Sequence, residues 1–227
     1  LSLIERLFEV GAHFGYSRTR RHPSASPFLF GVKGGTDIID LEKTCSHLNK
    51  ALEAVKACAA KKKVILFVGT KPEARMAVLK TAIALSLPSV TEKWIGGTLT
   101  NFSEIKKRVE RMKTLKIQKE KGELAMYSKK ERRDMEDEMG RLARNFSGIA
   151  NLAMLPDMLF IVDPRHEDTA VREAKKMGIP FLALANSDCN LKEINYPIPA
   201  NDGSQESIAF FLDELEMAYK ECSPLAE

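Results

Sequence analysis

No uninterrupted apolar run in the chain exceeds the five residues of Val64 to Val68, whereas a bilayer-spanning helix needs about 20. A transmembrane helix is thereby excluded. Glu5, Arg6 and Glu9 interrupt the opening segment, so no secretory apolar core is expected there. The missing initiator methionine leads us to expect residues ahead of Leu1. Cysteine is sparse: Cys45, Cys58, Cys189 and Cys222 form no C-x-x-C pair. Neither a zinc ribbon nor a disulfide framework fits that spacing, and a reduced, cytoplasmic protein is expected. The four histidines, His13, His22, His47 and His166, build no H-E-x-x-H. His13 and His22 could meet around a metal or simply hydrogen-bond at the surface; no metal is expected. Also lacking are the G-x-x-x-x-G-K-[ST] phosphate loop, the G-x-G-x-x-G dinucleotide fingerprint and the G-x-S-x-G nucleophile elbow.

What is present begins with charge. The 227 residues carry 35 Lys and Arg against 31 Asp and Glu, a net +4 that averages over uneven segments. Tyr16 to Gly35 holds Arg18, Arg20, Arg21 and Lys33 and no acid. Ser103 to Ser147 holds 14 basic and 9 acidic residues; from Gly203 onward there are six acids and one lysine. Basic segments with an acidic tail suit a chain that meets a polyanion on some surfaces only, although a solvated surface would read the same way.

Hydrophobic periodicity gives the elements. Leu3, Ile4, Leu7, Phe8 and Val10 predict a short amphipathic helix. Phe28 to Phe30 and Ile38-Ile39 flank Gly34-Gly35 as a hairpin. Leu41, Cys45, Leu48, Leu52, Val55 and Ala59 step by three or four, a helix capped by Asp40. Val64 to Val68, Met158 to Val162 and Pro180 to Ala185 are unbroken apolar runs, as strands buried on both faces require. Helices follow the first two, from Pro72 and from about His166; Gly178 is expected to close the second of these as a left-handed cap. A last helix runs from about Ser204. The β-α alternation predicts a parallel sheet with helices on both faces.

One segment differs. Ile105, Val109, Met112 and Leu115, then Met135, Met139, Leu142, Phe146 and Ile149, form a narrow heptad-like seam broken at Gly122 and Tyr127-Ser128. Two antiparallel helices are expected, inserted at 103–148 and projecting from an α/β body of 1–102 and 149–227. A pair of ordinary surface helices is the alternative.

Two glycine loops could cradle an anion. Gly69-Thr70-Lys71 ends a strand and opens a helix, where amide groups and the helix dipole favour negative charge. Gly96-Gly97-Thr98 follows Trp94-Ile95 and could equally be a tight turn. With Asp163 at a strand end, a nucleotide- or phosphometabolite-binding enzyme is one reading. A structural RNA-binding protein is another, and a coiled-coil adaptor a third.

The segments Gly11-Ala12-His13-Phe14-Gly15, Ile38 to Thr44, Val68-Gly69-Thr70-Lys71, Trp94 to Asn101, Leu155-Pro156-Asp157, Gly178-Ile179-Pro180 and Ile198 to Asp202 stand in one order along the chain. In that order they resemble the bacterial-type small-subunit ribosomal protein two family. Three places depart from the family pattern. Tyr16 to His22 replaces a second histidine and a tryptophan, Asn186-Ser187-Asp188 replaces Asp-Thr-Asn, and Gly203 replaces an aspartate. The resemblance implies a flavodoxin-like doubly wound α/β fold with a protruding antiparallel coiled-coil hairpin, no enzymatic activity and no cofactor. It implies binding to small-subunit ribosomal RNA between head and body. Its implied protein partners are small-subunit neighbours, including the large OB-fold ribosomal protein number one. The RNA-contacting residues are then expected among Arg18, Arg20, Arg21 and Lys33, Lys71 and Lys93 beside the glycine loops, and Lys106, Lys107, Arg108 and Arg111 on the hairpin.

Overall fold

A computed structural model describes residues 2–222. The chain opens with α1 (Leu3–Glu9), closed at its start by a reciprocal capping box between Ser2 and Glu5. Strands β1 (Phe14–Ser17), β2 (Leu29–Lys33) and β3 (Thr36–Ile39) form an antiparallel sheet in the order β1-β3-β2. Gly34 and Gly35 turn β2 into β3 with φ of 58° and 78°, the paired left-handed geometry that a two-residue hairpin loop demands. Asp40 then caps α2 (Leu41–Ala60) by accepting the Glu42 and Lys43 amides.

The remaining elements are strands and helices in succession. They are β4 (Ile65–Val68), α3 (Pro72–Leu85), β5 (Ser89–Val90), α4 (Phe102–Glu120), α5 (Lys129–Phe146), β6 (Met158–Val162), α6 (Asp168–Met177), β7 (Phe181–Ala185), β8 (Tyr196–Pro199) and α7 (Gln205–Cys222). The five strands from β4 on pair in parallel as β5-β4-β6-β7-β8. Counted within this sheet, that order is 2-1-3-4-5, the flavodoxin-type doubly wound arrangement.

Side chains of these strands alternate between two cores. Ile65, Phe67, Phe160, Val162, Leu182 and Leu184 face α2, α3 and α7. Leu66, Val68, Leu159, Ile161, Ala183 and Ala185 face α6 and the root of the α4–α5 pair. Every residue of β4, β6 and β7 is buried, which is why their sequences show no polar alternation. At about 1.5–3 kcal/mol for each large side chain removed from water, these strands carry much of the fold's stability.

The α4–α5 pair occupies the crossover between β5 and β6, where a doubly wound protein ordinarily has one helix. Ile105, Val109 and Met112 of α4 are buried, as is Phe146 of α5. Met135, Met139 and Leu142 of α5 are half-buried. Ion pairs Arg111–Glu138 (3.0 Å) and Lys119–Glu136 (3.0 Å) bridge the two helices. Leu115 and Leu124 are buried near the far end, where a 3-10 turn at Glu123–Met126 folds against α4.

Strand β8 has no apolar-run signature because it contains Pro197 and Pro199. It lies at the edge of the sheet, bonded to β7 alone. The carbonyls of both prolines point to the outer side, where His47 (3.1 Å) and Thr44 (2.6 Å) of α2 meet them. The missing proline N–H groups therefore fall where no ladder bond is due.

Helix α3 lies close over β4 at Gly69. A Cβ there would stand 2.8 Å from Val78 Cγ2 and 3.2 Å from Ala74 Cβ. Gly69→Ala is expected to cost about 1–3 kcal/mol through overpacking. A urea melt should show a lower midpoint at unchanged slope; an unchanged midpoint would show that α3 can retreat freely.

Candidate functional site

In a doubly wound sheet, ligands bind outside the carboxyl ends of the strands. Here that edge receives Thr70-Lys71 after β4, Asp163 after β6, Asn186 to Cys189 after β7, and Asn201-Asp202 after β8. The N-terminal antiparallel sheet folds over it. The Tyr16 amide donates to Ser187 Oγ (3.0 Å), the His22 amide to the Ser187 carbonyl (2.8 Å), and the Asn201 amide to the Ala12 carbonyl (2.9 Å). The first of these contacts joins positions 171 residues apart.

At the centre lies Lys71. Its Nζ is 2.5 Å from Asp163 Oδ2 and 3.6 Å from Asp202 Oδ1, and it donates to the Tyr16 hydroxyl at 3.3 Å. Burial opposes the ammonium, but the charge of Asp202 and the hydrogen bond to Asp163 hold its pKa above the ordinary lysine value. Asp202 is fully buried. Its Oδ1 accepts from Asn186 Nδ2 at 3.3 Å, and its Oδ2 has no partner among the described residues. Burial, then the charge of Asp163, pushes this carboxyl up to about 7 against the pull of Lys71. Asp163 takes a left-handed backbone, φ 58°, and its Oδ1 accepts the amides of Arg165 and His166, both at 3.0 Å.

The charges continue outward in alternation. Asp188 is buried between Arg20 (3.2 Å) and Arg165 (2.9 Å). The Arg20 guanidinium also stands 4.4 Å from the Tyr16 ring centre. Arg21 forks onto both oxygens of the buried Asp37 of β3. Four cations thus meet four carboxylates. Cys189, Asp163 and Asp202 lie close enough together to share a cation, and the ammonium of Lys71 already bridges the two carboxylates. Burial and then the charges of Asp202, Asp163 and Asp188 push the Cys189 thiol up, away from any thiolate chemistry. His13 is not part of this cluster: it stacks between Phe8 (4.5 Å) and Phe14 (4.1 Å). His22 instead bonds to Ser24 (2.8 Å).

Both glycine loops turn out to hold carboxylates supplied by the chain itself. Glu167, at the start of α6, accepts the Thr70 amide (2.8 Å) and hydroxyl (2.6 Å). Glu173 of α6 takes the Trp94 indole N–H (3.2 Å) and the Gly97 amide (2.8 Å) on one oxygen. Its other oxygen takes the Leu99 amide (2.9 Å), the Thr100 amide (3.1 Å) and the Thr100 hydroxyl (3.2 Å). Burial alone would raise the Glu173 pKa, but the Leu99, Thr100 and Gly97 amides and the indole hold it below the usual value. The loops do collect negative charge, as their geometry suggested, and the charge is internal.

The expected RNA-contacting residues divide accordingly. Lys71, Arg20 and Arg21 come together at the sheet edge in internal ion pairs, with Lys71 and Arg21 the more enclosed. Arg18, Lys33, Lys93, Lys106 and Arg108 are exposed. Among the described residues, Lys107 pairs with Glu104 (2.6 Å) and Arg111 with Glu138. Sequence reasoning missed Glu167 and Glu173. For Glu173 a signal existed: it shares a helix face with the buried Ala170 and Ala174, whose small side chains leave it room.

These features define a class: a doubly wound α/β scaffold whose ligand edge is filled by its own side chains and overlaid by an added N-terminal sheet. Residues 7–222 match the family model described as ribosomal protein S2. The chain is 39% identical over 212 residues to the small ribosomal subunit protein uS2 of Chloroflexus aggregans, covering 93% of this chain and 89% of that protein. It is 40% identical over 205 residues to that of Chloroflexus aurantiacus, covering 90% and 86%. Against that of Endomicrobium trichonymphae it is 38% identical over 208 residues, covering 92% and 85%. The chain belongs to the ribosomal protein S2 family. No helix among the described residues is long and apolar enough to cross a membrane.

Proposed function

We propose that this protein is a structural, non-enzymatic component of the small ribosomal subunit in the cytoplasm. In this reading it binds small-subunit ribosomal RNA between head and body and helps to seat neighbouring ribosomal proteins. The observation that carries it is the family match along nearly the whole chain. The α4–α5 pair is then a projecting coiled coil of 103–148 on a body of 1–102 and 149–227, supported by its thin apolar seam and bridging ion pairs. RNA contact falls to surface cations, Arg18, Lys33, Lys93, Lys106, Lys107 and Arg108 first, since RNA backbones are bound through Lys and Arg without a catalytic set.

A protein partner such as the large OB-fold ribosomal protein is supported by the apolar side of the N-terminal region. Phe8, Phe14 and Phe30 are 62%, 50% and 81% exposed, and an apolar hollow runs between Phe8, Phe30, Ile38 and Leu41. Exposed apolar surface of this kind marks interaction sites.

The test is sedimentation of the tagged full chain from a cell lysate. Co-migration with small subunits, lost progressively at high salt, is expected; migration as a free protein at low salt overturns the reading. The enzyme alternative is checked by titrating the isolated protein with ATP, GTP and NAD. With Lys71 and both glycine loops engaged internally, no binding tighter than about 100 μM is expected, corresponding to roughly −5.5 kcal/mol. A micromolar signal abolished by Lys71→Ala would revive the enzyme.

A further inference from the structure

We infer that the outer face of α3, with the groove beside its C-terminal half, is a docking surface for an amphipathic helix of another small-subunit protein, one whose apolar stripe is flanked by Asp and Glu. The inference rests on the ribosomal reading above and deepens it, naming a surface and the chemistry of what covers it.

The first support is a helix too apolar for its place. A surface helix ordinarily turns an apolar stripe inward and polar residues outward. Helix α3 buries Ala74, Val78, Thr81 and Ala82 against the body. On its outer side Met76, Leu79 and Ile83 are nevertheless 76%, 39% and 68% exposed. The charged residues of α3 leave this stripe unbroken. Glu73 lies in the first turn, Arg75 pairs with Glu92 (3.6 Å), and Lys80 pairs with Asp213 of α7 (3.2 Å). A helix apolar on all sides belongs in an interior, and among the described residues nothing covers the outer side of this one.

The second support is the shape beside it. A groove of about 610 Å³ runs along Leu79 and Ile83 at the amino edge of the parallel sheet, with Leu87, Leu152, Met154 and Leu155 lining it. Met154 is 77% exposed. This edge lies opposite the one filled by Lys71 and its carboxylates. Met76 to Ile83 covers two helical turns, about 10.5 Å at 1.5 Å per residue. That length suits a partner helix presenting apolar residues at i, i+3 or i+4, and i+7. Adaptable methionines around an exposed apolar patch are characteristic of protein contacts.

Charge selects the occupant. Lys61, Lys62 and Lys63 are exposed and lead directly into Val64 at the groove. Lys63 pairs with Asp157 (3.7 Å), whereas Lys61 and Lys62 have no ion-pair partner within 4.0 Å among the described residues. The nearby carboxylates, Asp157 and Asp213, are already engaged by Lys63 and Lys80. A second copy of this chain would bring like cations together without acids to meet them. RNA would gain nothing from the apolar stripe. A helix with flanking carboxylates satisfies both the stripe and the lysines.

The test places p-benzoylphenylalanine at position 83 of the full chain and irradiates small subunits that have incorporated it. Crosslinking to one protein segment is expected, identified by mass spectrometry as an apolar-striped helix with flanking Asp or Glu. A synthetic peptide of that segment should bind the free chain. Met76→Gln with Ile83→Gln should weaken it about tenfold with the salt dependence kept. Lys61→Gln with Lys62→Gln should weaken it about threefold at low salt and leave it unchanged at high salt. All four side chains are exposed, so unchanged circular dichroism is expected. Crosslinks to RNA alone, to a second copy of this chain, to a segment without acids, or to nothing would overturn the inference and leave the ribosomal reading standing. So would peptide affinity indifferent to both double variants. If the wild-type chain itself does not co-migrate with small subunits, both fall.

Discussion

Glu173→Ala is expected to destabilise the protein by about 3–5 kcal/mol, because one carboxylate satisfies four N–H groups and a hydroxyl at once. The Trp94 indole and the Leu99 amide would be left buried without an acceptor. The effect should reach the whole 94–101 loop, which leads into α4 and shares a core with Ile105 and Phe146. Trp94 is the sole tryptophan, so its fluorescence reports this site alone. A red-shifted emission and easier quenching are expected in the native variant. Glu173→Gln keeps an acceptor but turns an NH2 group toward donors, and should cost about half as much. The pH dependence has a definite sign. Glu173 is held below its ordinary value of 4.5, so its contribution is present above about pH 4.5 and is lost as pH falls through the native value. Native Trp94 emission and a wild-type melting point in Glu173→Ala would show that the loop stands without the carboxylate.

That carboxylate illustrates what a sequence discloses and what it hides. Elements defined by local chemistry were legible. The unbroken apolar runs became the three central strands, Pro72 opened α3, and Gly178 closed α6 with φ 68°. Gly122 and Ser128 marked the break between α4 and α5. Strand β8 was hidden because its prolines are tolerable only at an edge, and edge position is a property of the assembled sheet. Strand β5 was hidden because it is two residues long. The filling of the ligand edge was hidden for a deeper reason. Arg21 meets Asp37, Arg20 meets Asp188 and Lys71 meets Asp202 through tertiary closure, across separations as long as 168 residues. Nothing local distinguishes a cation awaiting a phosphate from one already committed to a carboxylate. The glycine loops posed the same ambiguity: their amides called for an anion, and only the fold shows that α6 supplies it.

Lys71→Met is expected to have the second large effect, about 3–5 kcal/mol at pH 8, or a fall in Tm of roughly 10 °C for a chain of this size. It removes the ammonium from between Asp163 and Asp202 and leaves two buried carboxylates facing each other. The cost should depend on pH in a direction set by Asp202. Its native pKa, pushed up to about 7, lies above the ordinary 3.8. The stability it contributes as a neutral acid is therefore complete below about pH 4 and is lost as pH rises through 7. Without Lys71, the largest of the influences lowering that value disappears, and the carboxyl keeps its proton to higher pH. The deficit of Lys71→Met should accordingly be largest above pH 7 and shrink toward pH 5, where protonation removes one of the two opposed charges. Lys71→Met with Asp202→Asn should recover part of the loss at pH 8, since the amide carries no charge and can still accept from Asn186. The N-terminal sheet offers an independent readout, because Tyr16 hydrogen-bonds to Lys71 and Arg20 stacks on Tyr16. Amide exchange in β1 should quicken in the single variant and slow again in the double. Equal melting points for wild type and Lys71→Met across pH 5 to 8 would mean that the ammonium is not the counter-charge of this buried edge. The closure of the sheet would then rest on the Arg20–Asp188 pair and the backbone hydrogen bonds of Tyr16, His22 and Asn201.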